Sequence, residues 1–300
     1  MENYQAVFKR KEIKYLLSRE KRNALLPILE AHMEPDAFAH SSISNLYYDT
    51  PDFRMVRRSL EKPMYKEKLR LRSYGTPENT STVFPEIKKK AMGIVYKRRI
   101  SLPYQEAVSF LSGQQIASTD TCDGTTQQIA STDMCDGTTR QILHELDWML
   151  ASYKDLAPRV FLSYERDSYK GISDPSLRLT LDQDILFRTD RLDLREGAFG
   201  EAILLPDQTL MEVKISNAAP LWLAQALSEI GIFPVSFSKY GRAYERICRD
   251  PRWRKEMNGH TEIDAHTKIN GHAEIDAHTK INGTTKMNGH AKEMEMKRYA

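Results

Sequence analysis

Three hundred residues, 40% hydrophobic and 28% charged at a mean hydropathy of −0.56, suffice for one large domain or two small ones around a sizeable core. No apolar run approaches the ~20 residues of a spanning helix, Met1-Glu2-Asn3-Tyr4 leads into charge rather than a signal core, and three cysteines make neither a disulfide framework nor a zinc spacing, so a soluble cytoplasmic chain is expected. The formal charge of +3 hides an asymmetry: residues 1–100 hold 21 Lys+Arg against 12 Asp+Glu, which points to a polyanionic ligand such as nucleic acid, a membrane surface, a nucleotide or polyphosphate.

In chain order, the spacing of Leu25, Leu26, Ile28 and Leu29 behind a Ser18 cap predicts a helix over Ser18–Met33. Strands are expected at Ile43–Asp49, Tyr65–Ser73, Val83–Lys90 and Gly93–Leu102, followed by a helix at Pro103–Leu111. Gln114–Thr126 then recurs almost unchanged as Gln127–Thr139. This tandem repeat carries too few apolar residues to stack as a solenoid and reads as a duplicated surface insertion. A helix is expected at Gln141–Tyr153, strands at Arg159–Asp167, Leu177–Phe187 and Thr209–Ile215, and a helix at Pro220–Ile230 that Gly231 stops. Residues 251–300 hold a second repeat (Asn258–Ile269 and Asn270–Ile281) with five of the eight histidines, and read as a disordered tail. The domain is thus 1–250 with an insertion at 114–139. Its class is α+β, an antiparallel sheet or closed β-barrel with surrounding helices.

Read with period 2, the strands show charge on one face. Lys66, Lys68, Arg70 and Arg72 alternate with Tyr65, Glu67, Leu69 and Leu71. Glu86, Lys88 and Lys90 share a face, as do Lys97 and Arg99, then Arg178, Thr180, Asp182 and Asp184, then Glu212 and Lys214. Each strand alone could be an ordinary half-solvated one. Together, if the sheet closes, they line a charged interior whose like charges repel without an anion. Phosphates supply that counter-charge, and Arg offers them paired donors. Carboxylates among the cations suit a bridging divalent ion, since Mg²⁺ and Mn²⁺ prefer oxygen ligands. Salt bridges to the neighbouring Lys and Arg are the alternative.

With these residues laid out, the chain resembles the vacuolar transporter chaperone (VTC) polyphosphate polymerases of the triphosphate tunnel metalloenzyme superfamily. The likeness rests on short segments in order: Glu12–Tyr15, Ile43–Asp49, Lys68–Gly75, Glu86–Lys88, Tyr96–Arg99, Ser163–Arg166, Leu177–Asp182, Leu210–Lys214 and Phe237–Tyr240. The resemblance implies that Lys14, Lys68, Arg70, Arg72, Lys88, Lys97, Arg99, Arg166, Arg178 and Lys214 line a tunnel and grip the phosphates. Among them it implies catalytic parts for Arg70, Arg72, Lys88 and Arg166, with Lys239 on the phosphate to be transferred. It implies that Glu212, with Glu86 in support, holds Mn²⁺ or Mg²⁺. One departure stands out: the superfamily's Glu-x-Glu-x-Lys strand reads Arg10-x-Glu12-x-Lys14 here.

The implied activity is transfer of the ATP γ-phosphate to a growing polyphosphate chain, so the expected partners are ATP and polyphosphate. A triphosphate or nucleoside-triphosphate hydrolase and a non-catalytic polyphosphate binder are the competing readings. Nucleic acid is not expected, because Tyr74 and Tyr96 are too few to make a stacking platform. No membrane segment is expected either.

Overall fold

The computed structural model describes residues 11–92, 94–113, 137–216 and 218–251. The elements run β1 (Lys11–Leu17), α1 (Arg19–His32), β2 (Met33–Asp49), α2 (Arg54–Leu60), β3 (Tyr65–Tyr74), β4 (Thr82–Ala91), β5 (Ile94–Arg99), β6 (Leu102–Pro103) and α3 (Tyr104–Leu111). They continue with α4 (Gly137–Ser152), β7 (Ala157–Gly171), β8 (Arg178–Arg188), β9 (Glu201–Ala202), β10 (Thr209–Ile215), α5 (Leu221–Glu229) and α6 (Lys239–Arg249). Most of Gln114–Thr139 and all of the Asn258–His290 repeats lie outside the described residues. Gly137, Thr138 and Thr139, however, open α4, so that helix starts inside the repeat rather than after it. None of the described helices is long and apolar enough to cross a membrane.

The strands form one antiparallel sheet in the order β1-β10-β8-β7-β2-β3-β4-β5, with β6 on β4 and β9 on β8. The expected closure of the barrel is not made: among the described residues no ladder joins β5 to β1. Both edges are blunted against pairing. On β5, Lys97, Arg98 and Arg99 are charged and the strand is largely exposed. The outer edge of β1 is partly taken, with the Val235 N–H donating to the Lys14 carbonyl at 2.7 Å and Pro234 bridging to Tyr15. The sheet still curls on itself. Glu12 of β1 lies within electrostatic reach of Lys88 of β4, and Lys14 within reach of Lys68 of β3.

The curl follows from where the apolar residues point. On the convex side, Leu46, Leu69, Leu71, Val83, Ile87 and Phe161 are buried under Ala107 and Leu111 of α3 and Ile142, Leu146 and Met149 of α4. Around the other half, Leu17, Leu179, Leu181, Met211 and Val213 are buried under Leu25 and Leu29 of α1 and Leu223, Ala226 and Leu227 of α5. Each such side chain contributes about 1.5–3 kcal/mol by leaving water. The helices therefore wrap the outside, and the alternate residues of every strand are left to line the inside. Glu67 is a charged residue on the convex side. It is buried, and it accepts hydrogen bonds from Tyr65 (2.6 Å) and Tyr153 (2.5 Å).

Several elements go beyond the sequence expectation. Residues 33–42 extend β2 backwards past Pro35. A proline is tolerated there because this stretch pairs only with β7, leaving its other side free of ladder bonds. The alternation expected through Asp184 breaks there, where φ is +48° and the side chain turns out to solvent while Ile185 is buried. Ser18 caps α1 as expected by accepting the Lys21 N–H, and Gly231, at φ +69°, stops α5.

Candidate polyanion-binding site

Two carboxylate clusters lie on the concave face. In the first, Glu212 of β10 is met by Lys14 of β1 at 3.1 Å, Lys239 of α6 at 3.0 Å and Arg166 of β7 at 3.6 Å. Beside it, fully buried Asp182 of β8 accepts two hydrogen bonds from Arg166 (2.6 and 2.7 Å) and one from Lys239. Burial opposes ionisation of Glu212, but Lys239, Lys14 and Arg166 outweigh it and hold the carboxyl well below the usual range. Burial likewise opposes the charge on Lys239, and Glu212 and Asp182 more than restore it.

In the second cluster, Glu86 of β4 is 1% exposed. Its Oε2 accepts from Arg70 at 2.8 and 2.6 Å, and its Oε1 lies 2.9 Å from Lys97. Arg72 and Arg99 stand 3.9 Å away. Burial raises its pKa, but Arg70, Arg72 and Lys97 draw it down to about 2. Arg72 is fixed from behind, donating to Asn45 at 3.0 Å and to the Tyr164 hydroxyl at 3.3 Å, while Arg70 donates to the Tyr47 hydroxyl at 3.1 Å.

Lys239 reaches this face because α6 is pinned at its first turn. Ser238 caps the helix, accepting from Gly241 N–H at 3.1 Å and from Lys68 Nζ at 3.2 Å. Tyr240 stacks on Tyr47 with centroids 4.4 Å apart and donates its hydroxyl to Asp49 at 2.9 Å. Asp49 also accepts the N–H groups of Met55 and Val56, so one buried carboxylate ties the start of α2 to α6. Gly241 packs closely against α2: a Cβ there would lie 2.9 Å from Leu60 Cδ2 and 3.1 Å from Ser238 Cβ, so a larger residue would displace the end of the Leu60 side chain.

Between the two clusters the charges do not balance. Lys68, Lys88 and Lys214 have no carboxylate within ion-pair distance among the described residues, yet they feel one another and Lys14 across the face. Burial, together with Lys88, Lys66 and Lys14, lowers the Lys68 pKa to about 8. Burial also lowers Lys97 to about 8, and Lys214 is lowered by burial, Arg166 and Lys88. Tyr47 is drawn to about 8 against its own burial by Arg70, Lys68 and Arg72. Among the described residues, Lys14, Lys68, Arg70, Arg72, Lys88, Lys97, Arg99, Arg166, Lys214 and Lys239 share this face with the carboxylates Glu12, Glu86, Asp182 and Glu212. A multiply charged anion among them would relieve the repulsion, with guanidiniums placed to grip it in pairs.

Of the residues singled out from sequence, Arg178 stands opposite Lys214 in the β8–β10 ladder but is half-exposed and pairs with Asp36 of β2. Among the described residues Glu86 and Glu212 share no ion-pair partner. Residues given no role from sequence complete the site: Asn45, Tyr47, Tyr164, Ser238 and Tyr240. The residues expected to hold Mn²⁺ or Mg²⁺ do not fit a bare divalent cation. Every oxygen of Glu212 already faces a cation, and no three His, Cys, Asp or Glu side chains converge among the described residues.

The fold is thus a curled antiparallel sheet with its apolar core on the outside and an excess of cations on its inner face. Residues 9–248 match the VTC domain, and the chain belongs to that family. No curated protein is significantly similar in sequence. Among solved structures, a candidate adenylate cyclase from Bacillus halodurans is 18% identical at a TM-score of 0.44, covering 76% of this chain and 95% of its own. A candidate adenylyl cyclase from Hippeastrum, described as having a dominant triphosphatase activity, is 15% identical at 0.43, covering 76% and 92%.

Proposed function

We propose that this chain is a phosphotransferase that moves the γ-phosphate of ATP to the end of a polyphosphate chain on its concave face. The observation that carries the reading is the convergence of Lys14, Lys68, Lys88 and Lys214, which repel one another and, Lys14 apart, have no carboxylate within ion-pair distance among the described residues. A phosphate chain supplies several negative charges in a row, as that arrangement requires. Membership of the VTC domain family agrees with it.

In the reaction the γ-phosphorus forms a bond to a terminal oxygen of the acceptor chain, and its bond to the bridging oxygen of ADP breaks. The acceptor oxygen is already deprotonated, so no general base is needed. Positioning and charge stabilisation do the rest. Arg70 and Arg72, braced by Tyr47, Asn45 and Tyr164, would orient equatorial oxygens. Arg166 and Lys239 would stabilise the charge that develops on the transferred group, and Lys68, Lys88, Lys97 and Lys214 would hold the chain. Incubation with ATP and Mg²⁺ or Mn²⁺ tests this. Long-chain polyphosphate with ADP is the expected product. Orthophosphate would mark a hydrolase of the same site, and no turnover with retained polyphosphate binding would mark a binder.

A further inference from the structure

The carboxylates and the ammonium groups of the concave face divide in a way that bears on the order of binding. Glu212 Oε1 is shared by Lys14 and Lys239, and its Oε2 faces Arg166. Both oxygens of Asp182 are taken by Arg166 and Lys239. Glu86 Oε2 accepts from Arg70, and its buried Oε1 makes no hydrogen bond but has the Lys97 ammonium 2.9 Å away. Glu12 is held by Lys14 at 3.4 Å. A Mg²⁺-sized ion bound about 2.0–2.1 Å from one of these oxygens would sit against an ammonium or guanidinium of like charge. The same groups leave Lys68, Lys88 and Lys214 open to an incoming anion.

We infer that this face takes up a phosphate chain without any divalent cation, and that a divalent cation joins only once phosphate oxygens are present. The inference rests on the phosphate-binding reading above. It follows from exchange of partners: phosphate oxygens draw Lys14 and Lys239 away from Glu212, and only then does a carboxylate oxygen become free for a metal. Glu212, Asp182 and Glu86 act in the free chain as place-holders for the anion, keeping the buried cations neutralised.

Two measurements on the full chain test this. Tripolyphosphate is titrated calorimetrically in EDTA and again with Mn²⁺. The expected result is binding in EDTA with a Kd within about tenfold of that in Mn²⁺, equivalent to a difference of about 1.4 kcal/mol or less. Binding seen only with Mn²⁺ would overturn the inference and leave the phosphate-binding reading intact, whereas no binding under either condition would overturn that reading itself. In the second measurement, Mn²⁺ uptake by the anion-free chain is followed by electron paramagnetic resonance in wild type and Glu212→Gln. Equal uptake is expected. Loss of one equivalent in the variant would place a metal on Glu212 before any anion and would contradict the order proposed.

Discussion

Replacing Asp182 by Asn keeps the shape of a fully buried side chain and removes its charge. The wild-type carboxylate accepts both guanidinium bonds of Arg166, at 2.6 and 2.7 Å, and the ammonium of Lys239. The amide offers one acceptor oxygen and turns an NH₂ donor towards a cation, so Arg166 and Lys239 are left with Glu212 alone. Breaking a buried pair of this kind costs about 3–5 kcal/mol. At roughly 2–4 °C per kcal/mol for a domain of this size, Tm should fall by about 6–20 °C. Tripolyphosphate at a hundred times its Kd stabilises the wild type by about 2.7 kcal/mol. It should stabilise Asp182→Asn by more, because the anion supplies the missing negative charge. Scanning calorimetry in phosphate-free buffer, with and without tripolyphosphate, reads both effects. A variant melting at the wild-type temperature, or gaining no more than wild type from the anion, would refute the place-holder role.

Tyr240→Phe keeps the stack on Tyr47 but deprives Asp49 of one hydrogen bond. Chemical denaturation should show a loss of about 1–3 kcal/mol, with kcat reduced because the neighbouring Lys239 is less firmly set; unchanged stability would contradict the clamp. Arg70→Ala should weaken tripolyphosphate binding and raise KM for ATP more than it lowers kcat, since it removes contacts made in both ground and transition states. An unchanged KM would argue against it. The pH dependence has a definite sign. In the folded chain Lys68 is lowered from 10.5 to about 8, so the penalty for its charge is fully present below about pH 8 and disappears as pH rises towards 10.5. Anion binding favours the ammonium and is therefore accompanied by proton uptake above pH 8. Affinity for tripolyphosphate should fall by about tenfold per pH unit there for each proton taken up, and a flat profile from pH 8 to 9.5 would contradict the assignment.

Strands β3, β4 and β10 were legible almost to the residue because charged and apolar side chains alternate along most of their length, Glu67 and Lys89 apart. The same alternation placed Lys68, Arg70, Arg72, Glu86, Lys88, Glu212 and Lys214 on one face. What the pattern does not carry is closure. Whether the last strand meets the first depends on edge residues such as Pro234 and the charged β5, which act through long-range geometry. Helix α2 escaped notice because it is short and is fixed by the Asp49 carboxylate rather than by its own periodicity. In α6 the spacing of Tyr240, Ala243, Tyr244 and Ile247 is helical, but Gly241 and three arginines mask it. Tyr47, Asn45 and Tyr164 looked like ordinary strand residues. Only the three-dimensional register shows that their polar ends brace Arg70 and Arg72. For the carboxylates the sequence left open a bridging divalent ion or salt bridges to neighbouring Lys and Arg; the structure shows ion pairs, and which cations across the strands make them is invisible to a one-dimensional reading.

The central claim is that a phosphate chain lies on the concave face among Lys14, Lys68, Lys88 and Lys214. A crystal structure of the chain grown with tripolyphosphate tests it most directly. Phosphate density is expected within hydrogen-bonding distance of these four ammonium groups, with Lys14 and Lys239 drawn off Glu212 towards the phosphate oxygens. Phosphate bound only on the convex, helix-covered side, with the Lys14–Glu212 and Lys239–Glu212 pairs intact, would contradict it.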